Sequence, residues 1–304
     1  MASHRFALAL RALRLTLAFA LLAPGAAAEP QAFASAQEAA RALVEACRSN
    51  DTEALRRLLS EEHADAILES GDPGSARRRA AFAAGADHRL VLREDGPGRA
   101  TLMVGFRAYP FPVPVVRTDR GWLFDAEEGY EELLDRAIGW NELTAISLLR
   151  DYVEAQIRYA SEPRDSTRVR QFAKRFRSTP GTRDGLYWEV DEESGEEPSP
   201  FGPLVTEDVR STPAGTPYYG YHYRILTAQG PNAPGGAYSY VINGNLVAGF
   251  AALAWPAEYG RTGVMTFLVN HYGDIYEKDL GPDTEATAAA FSAYDPDDTW
   301  SEAE

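Results

Sequence analysis

Few side chains in this chain stand at spacings that could do chemistry. The sequence holds five histidines and one cysteine, Cys47. His222 and His271 fall on two sheet-like segments and could approach each other. Glu258 or Asp279 could then supply the third ligand that a zinc centre needs. Two histidines on a solvated sheet face are the commoner arrangement, and we expect no metal centre. Ser239 and Thr266 lack any spacing signature with a histidine that would mark a nucleophile. Glu258 and Asp279 could be drawn as an acid–base pair, but a chain with 45 acidic residues offers many such pairs. Asp295-Pro296-Asp297-Asp298 echoes a calcium loop without the glycine and closing glutamate of an EF-hand. No glycine-rich phosphate loop follows a strand, and no GxSxG, HExxH or CxxC occurs. We assign no catalytic residue and no cofactor.

Binding is the better prospect. Tyr219, Tyr221, Tyr223 and Ile225 share one face of a strand, and Gly220, His222 and Arg224 share the other. The tyrosine face is assigned to the core, so Arg224 and His222 point away from it. On an acidic chain that cationic spot could receive an anionic partner group or an internal carboxylate such as Glu258, and internal pairing is favoured. His222, Arg224, Trp255, Glu258 and His271 are therefore the candidate binding residues. Tyr238, Tyr240, Tyr259, Tyr272 and Tyr276 add aromatic density, and tyrosine combines apolar area with a polar tip.

The elements that position these residues are framed by composition. With 304 residues, 45% of them apolar, the chain is long enough for one large or two ordinary domains. Its formal net charge is −15. That surface repels phosphate backbones and anionic lipid, which excludes a nucleic-acid partner. A lone cysteine forms no internal disulfide, and Cys47, among Leu43, Val44 and Ala46, reads as an inert packing residue. Residues 1–28 read as a secretory signal. Arg5, Arg11 and Arg14 form a basic start, Leu15 to Ala23 is a short apolar run, and Ala26-Ala27-Ala28 is a small-residue cleavage site. No cysteine follows it, and no later segment is apolar enough to span a bilayer. The expected location is periplasmic or secreted, after cleavage near Ala28.

Two domains are expected, both α+β. The first covers 35–129. Ser35 can cap one helix and Asp51 a second, residues 64–87 lack clear periodicity, and four strands follow from His88 to Asp125, with Asp95-Gly96 as a hairpin signal. The second covers 130–294. Leu133, Leu134, Ile138, Leu143, Ile146, Leu149, Val153 and Ile157 recur at helical spacing, with a break possible at Gly139. A shorter helix is expected over Ser166–Phe176, then an irregular excursion over 178–217. The hairpins of Asn243-Gly244 and Tyr272-Gly273 build an antiparallel sheet of about four strands under the long helix. Residues 295–304 read as a mobile acidic tail.

Three resemblances follow from these patterns. Two helices followed by an antiparallel sheet closing on Gly121-Trp122-Leu123-Phe124-Asp125 resembles the nuclear-transport-factor-like and cystatin-like domains. The stretch Arg136–Trp300 resembles a family of exported bacterial proteins, the domain of unknown function numbered twenty-nine fifty. That match rests on Ile138 to Leu143 with Tyr152 to Ala160, on Ser178 to Trp188, on Pro200 to Leu204 and on Pro217 to Gly281. The family implies no activity. Asn141 to Ser161, then Gly220 to Ile225 and the run ending at Ile275-Tyr276, is similar to the globular part of type IV pilins and pseudopilins, which implies a helix lying on an antiparallel sheet. The apolar assembly helix of pilins is missing here, so the likeness implies a fold and not a filament. The resulting functional expectation is an envelope interaction or scaffold module without catalysis, whose partner is another envelope protein or polymer. The alternative is a periplasmic hydrolase acting on envelope material, with 178–217 as its lid.

Overall fold

The computed structural model describes residues 30–68, 74–164, 168–190, 195–202 and 216–303. The segment read as a secretory signal, with its expected cleavage near Ala28, lies outside these, as do 203–215 and 191–194 of the expected excursion. The chain divides into two compact units, at Tyr130 and Glu131. Among the described residues it is an α+β protein with six helices and antiparallel sheets.

The first unit begins with α1 (Ala36–Ser49), capped as its sequence suggests. Ser35 Oγ accepts a hydrogen bond from the Glu38 amide at 3.2 Å, and the Glu38 carboxylate accepts one from the Ala34 amide at 3.2 Å. Asp51 caps α2 (Thr52–Leu59) through the Ala54 amide at 2.9 Å. Residues 64–87, without a visible apolar period, prove largely helical, as α3 (Glu61–Ile67) and α4 (Ser75–His88). The inward stripe of α4 is Ser75, Arg79, Ala83 and Ala86. Alanine favours helix strongly without adding much hydrophobic contrast. Arg79 is buried and donates to Asn50 Oδ1 at 2.8 Å and to the Leu68 carbonyl at 3.3 Å. The sheet joins β1 (Leu90–Gly96), β2 (Arg99–Val104), β4 (Val115–Thr118) and β5 (Gly121–Phe124) in that order, with β3 (Tyr109–Pro110) also paired to β2. Leu43, Leu55, Leu58, Leu59, Leu102, Val113, Val115 and Phe124 fill the space between helices and sheet. Cys47 is part of that core, and burial pushes its thiol up to about 11, against the opposing Arg79 charge. At that value it stays protonated and unreactive near neutral pH.

Helix α5 (Ala126–Ala160) runs 35 residues without a break. Gly139 sits inside it with no atom within 4 Å of where a Cβ would stand, so the glycine interrupts nothing. In the second unit α5 carries Ala145, Ile146, Leu148, Leu149, Tyr152, Ala155 and Tyr159 into the core. Ile157 is 58% exposed and so lies outside the face expected for it. The sheet order is β14 (Ser301–Glu302), β13 (Ile275–Asp279), β12 (Met265–Asn270), β11 (Ala251–Pro256), β6 (Tyr221–Leu226). Short ladders join β7 (Ala228–Gln229) to β8 (Tyr238–Ser239), and β9 (Val241–Ile242) to β10 (Asn245–Leu246). The β9–β10 turn has Asn243 and Gly244 both at positive φ, the type I′ geometry for which Asn-Gly is suited.

Side chains from α5 lock it to the sheet. Tyr152 donates to the Ala251 carbonyl at 3.1 Å. Glu142 accepts from the Val264 and Met265 amides at 2.9 and 3.0 Å, and Asn141 donates to the Thr262 carbonyl at 2.9 Å. Gln156, fully buried, takes the Ala173 amide at 2.7 Å and donates to its carbonyl at 2.8 Å. That grip explains a difference from the sequence. The described part of the stretch read as a helix over Ser166–Phe176 is not helical, because backbone groups there bond outward, to Gln156 and from the Phe172 amide to the Leu246 carbonyl. The described residues of the excursion that follows are in part packed inward. Leu186, Tyr187, Trp188 and Phe201 are buried in the same core. A sixth helix, α6 (Thr284–Ala290), precedes the acidic tail, and the tail is docked. Trp300 is buried and Ser301–Glu302 pair with β13.

Candidate functional site

Three of the five candidate binding residues meet, and their surroundings are structural. His222 stands opposite Trp255 and Arg224 opposite Leu253 on β6 and β11. The His222 and Trp255 rings lie 5.3 Å apart, and the Arg224 guanidinium stacks 5.4 Å from the Trp255 ring. Arg224 then reaches the end of α6. It donates to the Ala288 carbonyl, to the Ala289 carbonyl at 3.3 Å and to the Phe291 carbonyl at 2.9 Å. Trp255 Nε1 donates to Glu285 at 3.0 Å. The internal partner of Arg224 is thus a helix terminus, whose carbonyls carry partial negative charge, and not Glu258. Glu258 lies in the turn before β12 and pairs with Arg261 at 3.3 Å.

His271 stands apart. Asn270 pairs with Ala251 and His222 with Trp255, while β6 and β12 flank opposite sides of β11. The two histidines are therefore about five residues apart along the strands, roughly 16 Å. They form no ligand pair, and among the described residues no group of three His, Cys, Asp or Glu is placed to hold a metal.

His271 belongs instead to a row of rings running from the core to the surface. Tyr240 is fully buried and donates to Gln229 Oε1 at 3.0 Å. Gln229 in turn donates to the Pro234 and Gly236 carbonyls at 2.7 and 2.8 Å, fixing the turn over 230–236. Tyr238 lies 5.4 Å from Tyr240, His271 lies 5.7 Å from Tyr240 on another side, and Tyr272 lies 4.2 Å from His271. Gly249, at φ +148, makes room, since a Cβ there would stand 2.9 Å from the Tyr240 ring. Tyr272 is 74% exposed and Tyr238 40%, with Ile242 and Val247 exposed beside the β9–β10 hairpin. Burial holds the His271 imidazole below its usual pKa, against a backbone hydrogen bond to Phe250 and the charge of Asp274.

A second feature was not read from the sequence. A cleft of about 490 Å³ opens beside the segment 177–189, lined by Arg177, Thr182, Arg183, Trp188, Glu189 and Glu196 among others. Its wall is a rigid turn. Asp184 accepts from the Thr179 amide at 2.7 Å, from Thr179 Oγ1 at 3.0 Å and from Thr182 Oγ1 at 2.8 Å, and pairs with Arg175 at 3.3 Å. Burial opposes ionisation there, yet these bonds hold the Asp184 carboxyl below the usual carboxylate range. Gly185 has no room for a Cβ, which would stand 2.6 Å from the Arg177 backbone. Two lining guanidiniums lie over rings, Arg177 5.3 Å from that of Tyr187 and Arg183 5.4 Å from that of Trp188, and Arg164, outside the lining, lies 5.6 Å from the Trp188 ring. The legible signal was the interleaving of basic and aromatic residues from Phe172 to Trp188.

Fold and sites together define an α+β protein with a filled sheet face, an open aromatic row and a separate polar cleft. It belongs to the family described as Protein of unknown function (DUF2950), which matches residues 30–303 and so takes in the first unit as well as the blocks from Arg136 onward. No curated protein and no solved structure matches the chain, so the pilin-like, nuclear-transport-factor-like and cystatin-like resemblances gain no support. Among the described residues no helix is long and apolar enough to cross a membrane.

Proposed function

We propose that this protein is a non-catalytic interaction module of the cell envelope, holding a protein partner at the aromatic row of Tyr238, Tyr240, His271 and Tyr272. The observation that carries the reading is the exposure of Tyr238 and Tyr272 on a rigid, core-anchored base. Interfaces favour such rings because they contribute large contact area at low entropic cost. Exposed Ile242 and Val247 beside them favour a protein over a sugar polymer. Placement in the envelope rests on the secretory pattern of residues 1–28. The hydrolase alternative called for a pocket joining a histidine to the loop segment. His222 and His271 instead lie in packed aromatic surroundings, and neither lines the cleft.

The test is a comparative pull-down from envelope extract with the native protein and a Tyr238→Ala/Tyr272→Ala variant of unchanged melting temperature. A partner retained by the first and lost by the second supports the reading. Identical partner sets, or release of soluble fragments from envelope polymer by the purified protein, would reject it.

A further inference from the structure

Charge along the second unit is sharply segregated. Residues 158–183 hold eight basic side chains and two acidic ones, whereas the rest of residues 131–304 hold six basic and twenty-six acidic ones. The fold delivers part of this basic segment to one place. Gln156 pins it at Ala173, the Tyr187 amide bonds the Phe176 carbonyl at 2.8 Å, and Arg177 and Arg183 arrive together at the cleft.

We propose that this cleft is an oxyanion-binding site, taking a carboxylate or phosphate group of its ligand on the guanidiniums of Arg183 and Arg177. Both are mounted on aromatic faces, Arg183 on Trp188 and Arg177 on Tyr187. Stacking fixes the plane of a guanidinium and leaves its N–H edge directed sideways, the geometry that two oxygens of one anion match. The turn beside them is held by Asp184 and needs no reordering when a ligand arrives. Arg175 is engaged by Asp184, and Arg164, whose side chain is 9% exposed, lies against the Trp188 ring and pairs with Glu162 at 3.7 Å, so Arg177 and Arg183 are the guanidiniums offered to the ligand. Arg183 is also paired with Glu196 at 3.1 Å, with side chains 44% and 53% exposed. Pairs that open to water are weak, so an incoming oxyanion can displace Glu196, and Glu196 sets how tightly the site binds.

The experiment titrates the mature protein with inorganic phosphate and, separately, with succinate, followed by tryptophan fluorescence and by calorimetry. At least one probe is expected to bind saturably at one site. Phosphate alone, succinate alone or both would assign the ligand group as phosphate, carboxylate or either. Arg183→Met should weaken binding at least tenfold. Glu196→Gln should strengthen it about threefold, a direction that mere structural support by Glu196 would not produce, and it keeps the test decisive if Arg183→Met folds poorly. Saturable binding by neither probe, unchanged binding in Arg183→Met, or weakened binding in Glu196→Gln overturns the proposal. The Tyr238→Ala/Tyr272→Ala variant should bind both probes as the native protein does, which separates this site from the aromatic row.

Discussion

Replacing Arg224 with Met keeps the aliphatic stem and removes the fork that holds the end of α6. Three acceptors lose their donor, the carbonyls of Ala288, Ala289 and Phe291. Hydrogen bonds to a charged group contribute about 1.5–3 kcal/mol each. These three share one guanidinium and are not independent, and the bond to Ala289 is long at 3.3 Å. Stacking on Trp255 adds about 0.5–1 kcal/mol. Against this, Arg224 Nε is buried without a partner, a cost the variant relieves. The expected net loss is about 2–4 kcal/mol. For a unit of this size that lowers the melting temperature by about 2–4 °C per kcal/mol. Arg224→Lys should recover less than half, because an ammonium keeps the favourable charge at the helix terminus, about 0.3–1 kcal/mol, but cannot fork. Urea melts followed by tryptophan fluorescence would measure both variants, with an unchanged m-value confirming the same native baseline. A loss under about 0.5 kcal/mol for Arg224→Met, or full recovery by lysine, would refute the reasoning.

Two further outcomes are expected. Val153→Asp should destabilise the second unit by about 2–4 kcal/mol, since Val153 packs on the core, while Ile157→Asp, at 58% exposure, should stay within about 0.5 kcal/mol of the parent in the same melts. His271 has a folded pKa below its unfolded value of about 6.5. Stability tied to its neutral ring is therefore complete above pH ~6.5 and is lost as pH falls through the folded value. Native protein should weaken more steeply than His271→Gln as pH falls below ~6.5, and parallel slopes would show that the ring does not carry the dependence.

What the sequence discloses depends on how local the governing force is. Ser35 and Asp51 announce α1 and α2 because a cap is a contact over three residues. Asn243-Gly244 and Tyr272-Gly273 mark their turns because φ is a property of the residue itself. The row from Ile146 to Val153 shows which way α5 faces, but Ile157, at the end of that stripe, does not follow it. Long-range contacts are what escaped. A buried glutamine on α5 holds residue 173 out of helical form. The stripe of α4 is made of alanine, serine and one arginine, so hydrophobicity alone does not outline it. Among the candidate residues, the grouping of His222, Arg224 and Trp255 needed the β6–β11 register, and the partner of Arg224 needed α6, some 65 residues away. The cleft depends on Tyr187 and Trp188 turning inward from what composition presents as loop.

The docked tail has a consequence for how this protein behaves in a crowd. Among the described residues Ser301–Glu302 are the partners of β13 on that side of the sheet, and the Ala303 amide closes the ladder on the Ile275 carbonyl at 2.9 Å. Trp300, buried against Phe291, anchors this brief strand. A few residues thus act as a stopper on an otherwise open row of backbone donors and acceptors. Loss of the Ser301–Glu302 pairing would leave most of the fold's contacts in place, yet it would uncover a strand of a kind that recruits other chains. The pairing of Ser301–Glu302 thus covers part of an edge of β13 that would otherwise be open to other chains.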